Sequence, residues 1–316
     1  MRFSSISRFA LLLAVLMLLG RNVPAVHASE PARLPRVLAV ETFLADIAQN
    51  VAGTRLKVAA LIPLGVDPHE FEPSPADIRR LADCDVLILN GAGLEEALER
   101  ILKNAGGERI TVVATAGLKS RDANPGETAE ADAANAHGEG DRNPHLWLDP
   151  VLVQGYVENI RAGLAKADPA GAELYARNAA AYAGKLRELD AWIREQFAPL
   201  PLARRLLVTN HESLGYFADR YGFRVVGSII PSVSSSASPS ARQMADLIRH
   251  VRAAKAPAVF LETGTNPQMA RQLAAETGVK VVTDLYTHSI TAPDGPAPSY
   301  IEMMKADTRA IAAALK

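Results

Sequence analysis

Beyond its first thirty or so residues the chain carries four short apolar runs rich in Val, Ile and Leu: 36–40 (RVLAV), 57–62 (KVAALI), 85–90 (DVLILN) and 110–114 (ITVVA). Continuous apolar runs of this length are the pattern of strands buried on both faces. Helical periodicity separates them, at 42–51, at 75–82 with Ser74 as cap and proline at the first position, and at 94–104. A second set follows at 206–209 (LLVT), 224–229 (RVVGSI), 258–262 (AVFLE) and 279–283 (VKVVT), with helices expected at 212–221, 239–254, 267–277 and 299–315. Strands alternating with helices imply wound parallel sheets, so the chain holds two similar α/β lobes.

Between the sets lies one long helical pattern starting at Asp168-Pro169. In it Leu174, Tyr182, Leu186, Leu189, Ile193 and Phe197 fall mostly three or four residues apart, and it ends before Pro199. Its roughly 29 residues would reach about 43 Å at 1.5 Å each, the span of two small domains. We read it as a stiff connector that restricts hinge motion. Residues 120–142 lack apolar periodicity and carry six acids against two arginines, so they read as a mobile acidic loop. The Ser-rich stretch 232–240 reads as a surface loop on the rim of the crevice. The expected division is therefore 1–28 leader, 29–167 first lobe, 168–198 linking helix and 199–316 second lobe.

The leader rests on Arg2 and Arg8, an apolar run over 9–19, and Val26-His27-Ala28, which fits a signal-peptidase site. The run is well short of the ~20 residues that cross a bilayer. Cleavage near Ala28 and export to the periplasm are expected. The single cysteine, Cys84, lies inside the chain, so no internal disulfide is possible and no lipidation cysteine follows the leader; it reads as a buried core thiol. Three of the 34 basic residues and none of the 35 acidic ones fall in 1–28, leaving a formal charge of −4 and no signal for nucleic acid as a partner.

In wound sheets ligands bind beyond the carboxyl ends of the strands, which gives weight to side chains in those loops. Four candidates fall there. His69 lies in GVDPHEFEPSPAD after 57–62, His145 in NPHLWLDP after the acidic loop, His211 directly after LLVTN, and Asp284 directly after VKVVT. Imidazole nitrogen and carboxylate oxygen are ligands that tetrahedral zinc accepts. Two come from each lobe, so one ion would bridge the crevice at the lobe interface. Any one of these histidines alone is more often an ordinary hydrogen-bonded group, and Asp284 alone could be a cap or turn residue; the joint pattern argues for a site. Of the other histidines, His250 reads as solvated on a helix, His137 lies in the acidic loop, and His288, close to Asp284, reads as an outer partner with a ligand role as the lesser alternative.

Several long segments carry a resemblance. GVDPHEFEPSPADIRRL, NPHLWLDP, NHESLGYFADRYG and FLETGTNPQMARQLAAETGVKVVTDLY resemble signatures of the metal-specific solute-binding proteins of ABC importers, the zinc and manganese group, and within it the periplasmic zinc-binding proteins. The resemblance implies two α/β lobes joined by a long rigid helix, one metal between them, and ligands at His69, His145, His211 and Asp284. It also implies delivery to an ABC permease in the inner membrane. Manganese-binding members resemble one another in a carboxylate at the third position, where this chain has His211; three imidazoles and one carboxylate favour Zn2+, with Mn2+ as the alternative. Many zinc members carry a histidine-rich loop, but here 120–142 holds only His137. This loop is expected to affect metal acceptance or release, or to dock a periplasmic metallochaperone. The protein is expected to act as a monomer and not as an enzyme.

Two rival functions fit less well. A metal-dependent hydrolase needs an open coordination position, and the chain has neither HExxH nor GxSxG: His211-Glu212 continues Ser-Leu-Gly-Tyr. A sugar- or amino-acid-binding protein would rely on aromatic platforms, and only Trp147 and Trp192 are present, the latter on the linking helix.

Overall fold

A computed structural model describes residues 33–95, 98, 100–102, 109–121 and 143–316. The leader, His137 and nearly all of the acidic loop lie outside the described residues. Of the helix expected at 94–104, the described residues are 94 and 95, which form a turn, and 98 and 100–102, which are helical. Among the described residues no helix is long and apolar enough to cross a membrane.

The eight expected strands are present: β1 (Val37–Ala39), β2 (Val58–Ala60), β3 (Val86–Leu89), β4 (Ile110–Val113), β5 (Leu206–Thr209), β6 (Arg224–Ser228), β7 (Ala258–Glu262) and β8 (Lys280–Leu285). They form two four-stranded sheets, ordered β2-β1-β3-β4 and β6-β5-β7-β8. Every pairing is parallel, as where Val37 of β1 sits beside Val58 of β2 on one side and Val86 of β3 on the other. The inner strands β1, β3, β5 and β7 are buried throughout, whereas the outer strands are partly exposed. In each sheet the chain reverses its direction of winding between the two inner strands, and the loops leaving them diverge there into a crevice.

The helices are α1 (Thr42–Ala52), α2 (Pro75–Asp83), α3 (Pro150–Ala167), α4 (Ala172–Phe197), α5 (Gly215–Tyr221), α6 (Ala241–Ala254), α7 (Gln268–Thr277) and α8 (Tyr300–Leu315). Local chemistry sets several starts. Ser74 with Asp77 and Ser240 with Gln243 form reciprocal capping boxes, and the Asp149 side chain accepts from Val151 N–H with Pro150 in first position. The sequence reading left α3 unassigned, although Val153, Tyr156, Val157, Ile160 and Leu164 keep helical spacing and are all buried.

Helix α4 is the expected connector. It has 26 residues, about 39 Å of helix, because Pro169–Gly171 forms a separate 3-10 turn before it. Its buried stripe, from Tyr175 through Tyr182, Leu186, Leu189 and Ile193 to Phe197, packs against α1 and α3 of the first lobe and α8 of the second. Polar contacts hold both ends: Asn178 donates to the Val51 carbonyl (3.0 Å), and Arg220 of α5 pairs with Asp190 (2.7 Å). Trp192 packs here, under Lys305 and Arg309 of α8. One continuous apolar cluster runs from Phe43 and Trp147 through α4 to Phe217 and Met304, while the outer face of each sheet has its own smaller cluster. Cys84 is buried in the first of those, its thiol donating to the Leu81 carbonyl.

Candidate metal site

Four histidines converge where the strand ends of the two lobes face each other. Asp67 accepts from the His69 backbone N–H (2.9 Å) and caps the 3-10 turn Pro68–Glu70, which carries His69 out of the loop after β2. His145 precedes a second 3-10 turn, Leu146–Leu148, anchored by the buried Trp147, which stacks on Phe43 at 4.6 Å. His211 leaves β5 two residues past its end, its carbonyl accepting from Thr209 Oγ1 (2.7 Å). His288 sits three residues past β8, next to Thr287, whose carbonyl accepts from Trp147 Nε1 (2.6 Å) across the lobe boundary.

His145 Nε2 lies 3.2 Å from Nε2 of His69, 3.2 Å from that of His211 and 3.3 Å from that of His288. All four ligand atoms fall within 4.8 Å of one another, and the six pairs of ring centroids are 5.1 to 5.5 Å apart. The rings cannot satisfy one another, because a hydrogen bond joins one N–H to one lone pair and His145 Nε2 faces three partners at once. A shared cation satisfies all of them.

Burial keeps His69, His145 and His288 in the neutral form that binds metal. Burial, aided by the facing His288 and His211, pushes the His69 pKa down to about 3. Burial and the neighbouring rings likewise hold His145 well below the usual imidazole value and lower that of His288. Outer groups hydrogen-bond two of the other ring nitrogens, Asn143 Oδ1 at 2.8 Å from His145 Nδ1 and Thr287 Oγ1 at 3.0 Å from His288 Nδ1, and the Glu262 carboxylate sets its charge 3.1 Å from His211 Nδ1. Asp67 spans the cleft, accepting from Ser235 Oγ (2.7 Å). Asp67 and Glu262 thus place two carboxylates around the cluster, and with Glu70, Asn210, Asn266 and His288 they line a polar cleft of about 610 Å³.

The structure brings His69, His145 and His211 together and puts His288, not Asp284, fourth. Asp284 is exposed, its carboxylate accepting from the neighbouring Thr283 hydroxyl (2.9 Å). The physical reason is that β8 continues to Leu285, two residues further than the apolar run suggested. Asp284 is therefore still in the strand, exposed together with Thr283 at an irregularity in the pairing of β7 and β8, and only Leu285 turns inward. The chain reaches the cleft only after Thr287. His250 is exposed on α6. Sequence reasoning also missed Asn143 and Glu262 as outer partners; the signal for Glu262 was a carboxylate at the end of a fully apolar inner strand, where burying it needs a partner.

Known proteins are similar to this chain in sequence and fold. The family model described as zinc-uptake complex component A, periplasmic, matches residues 37–314. The manganese-binding lipoprotein MntA of Halalkalibacterium halodurans is 33% identical over 297 residues, 94% of each chain. The manganese ABC transporter substrate-binding lipoprotein PsaA of Streptococcus anginosus is 28% identical over 284 residues, 89% of each. The periplasmic zinc-binding protein TroA of Treponema pallidum superposes with a TM-score of 0.77 at 26% identity, covering 90% of this chain and 99% of its own. Matched over nearly all of its described length, the chain belongs to the family of the periplasmic A component of zinc-uptake complexes, the substrate-binding proteins of metal importers.

Proposed function

We propose that this protein captures one zinc ion in the periplasm, through His69, His145, His211 and His288, and delivers it to the membrane permease of an ABC importer. The observation that carries the reading is the spacing of the imidazoles around His145. Zinc–nitrogen bonds of about 2.0–2.1 Å give a tetrahedron with edges of about 3.3–3.4 Å, and the three nitrogens facing His145 Nε2 stand 3.2–3.3 Å from it. Four neutral nitrogens suit zinc and disfavour manganese, which prefers oxygen donors and sits lowest in the affinity order for nitrogen-rich sites. Related proteins named for manganese show that the fold alone does not set the ion, so the donor set carries the zinc assignment.

Four protein donors fill a tetrahedral ion and leave no place for an activated water, which favours a carrier over a hydrolase. All donors come from one chain, so a monomer suffices, working as lobes 29–167 and 199–316 about the connector 168–198. The acidic loop 120–142 is proposed to tune metal transfer; deleting 121–141 without changing uptake or transfer rates would remove that part of the reading. The central test is a competition titration of metal-free protein with zinc and manganese. Zinc is expected to bind tighter by orders of magnitude, and comparable affinities would defeat the assignment.

A further inference from the structure

We propose that Asn143 is a positioning residue for metal capture: it dictates which nitrogen of His145 carries the proton and ties that ligand to the opposite lobe. Asn143 is fully buried. Its Oδ1 accepts from the backbone N–H of His145 (3.1 Å), and its Nδ2 donates to the backbone carbonyl of Glu212 (2.8 Å). Those two backbone groups have fixed roles, one a donor and the other an acceptor, so they decide which end of the amide is oxygen. His145 Nδ1, 2.8 Å from that oxygen, must then be the donor. With the proton on Nδ1, Nε2 is a bare lone pair, and it is the Nε2 that faces His69, His211 and His288.

His288 lacks this control. His288 Nδ1 meets the Thr287 hydroxyl, which can donate or accept and so selects neither tautomer. Asn143 is itself held in place from the second lobe. Its carbonyl accepts from Tyr216 OH (2.7 Å) and its N–H donates to the Arg121 carbonyl (3.2 Å), while the Arg121 N–H donates to the same Tyr216 oxygen (2.7 Å). The phenol of α5 therefore grips Arg121 and Asn143, the two ends of the 122–142 connection, at one point. The Glu212 carbonyl that orients the amide follows His211 directly in the chain. One side chain thereby links the proton position of a first-lobe ligand to the backbone of a second-lobe ligand. Loss of such an outer partner lowers metal affinity by roughly 10–100-fold.

This inference rests on the metal reading above, and its test separates the two. Full-length protein labelled with 15N-histidine is examined metal-free for the His145 tautomer, and zinc affinity is measured by chelator competition for wild type, Asn143→Leu and Asn143→Asp. The wild type is expected to show a single Nδ1–H form. Asn143→Leu, which removes both bonds, should show mixed tautomers and bind zinc roughly 10–100-fold more weakly. Asn143→Asp keeps the acceptor for Nδ1–H but turns the donor to Glu212 into an oxygen facing that carbonyl, so it should keep the Nδ1–H tautomer while losing the tie to the second lobe. A wild-type His145 protonated on Nε2 would overturn the proposal without any variant, as would an Asn143→Leu protein with the Nδ1–H form and wild-type affinity. Wild-type protein that binds no zinc but keeps the Nδ1–H form would instead defeat the metal reading and uphold the tautomer assignment.

Discussion

The two lobes share one sheet topology and each supplies two histidines, yet they hold them by different means. In the first lobe His69 and His145 ride on 3-10 turns, and His145 is backed by a neutral amide. In the second, His211 and His288 follow strand ends with their rings nearly parallel, 22° apart, and His211 faces the carboxylate of Glu262. The difference teaches that winding order fixes where side chains gather, while donor identity and outer support are set residue by residue in the loops. It also gives the halves different work: the first supplies the nitrogen that faces the other three and a half-buried carboxylate, Asp67, and the second supplies the buried one, Glu262.

The largest effect should come from the residue that meets all the others. His145→Ala removes the nitrogen common to the three closest approaches, and isothermal titration should show zinc affinity falling well beyond the roughly 100-fold ceiling for an outer partner. His69→Ala should cost less, because His69 is the one half-buried member and water can enter in its place. Equal losses in the two variants would erase the distinction between them.

Glu262→Gln sharpens the contrast in charge. The amide keeps the size of the side chain, removes the negative charge beside His211 Nδ1, and should lower zinc affinity roughly 10–100-fold. Unchanged binding would mean that Glu262 serves only Ser213, whose hydroxyl also donates to it. Next in size is a change of ion preference. His288→Asp or His211→Glu exchanges one nitrogen for oxygen and should narrow the zinc-to-manganese affinity ratio by about tenfold, read by the same competition titration. A ratio that does not move would place the selectivity elsewhere.

How much of this was legible in the chain depends on which physical signal each part carries. Buried parallel strands announce themselves as unbroken apolar runs, and all eight are legible, as is the connector through its stripe to Phe197, although the buried residue at its start is Tyr175 and not the expected Leu174. Helix α3 is written in the chain as well, in the Asp149 cap with Pro150 and in the buried stripe from Val153 to Leu164, left unassigned above. His69, His145 and His211 could be placed in the cleft because each lies in a loop beyond an apolar run. His288 could not be separated from Asp284 by that rule, since the choice turns on two more residues of β8 and on the Trp147–Thr287 bond, a contact spanning 140 positions. Long-range polar contacts of this kind leave no periodic trace.

A smaller effect concerns acid. His69 stays neutral in the folded protein until about pH 3, whereas in the unfolded chain it takes up a proton below about 6.5. Between those values the unfolded state binds more protons, so the metal-free protein should lose stability as pH falls through that window. Calorimetry from pH 7 to 5 should show the melting temperature dropping more steeply in wild type than in His69→Gln. Parallel slopes would mean that the closed cluster opens before it titrates.

The smallest expected effect is also the cleanest separation of strand from loop. Asp284 faces solvent at the end of β8 and its carboxylate is engaged by the adjacent Thr283, so Asp284→Asn should leave zinc affinity unchanged within error. His288→Asn, four residues along, removes a nitrogen 3.3 Å from His145 Nε2 and should not be silent. If the order were reversed, with Asp284→Asn weakening zinc and His288→Asn harmless, the end of β8 would have to unwind on loading to carry a carboxylate inward. The second lobe would then resemble the first in presenting a ligand from a turn rather than past an intact strand.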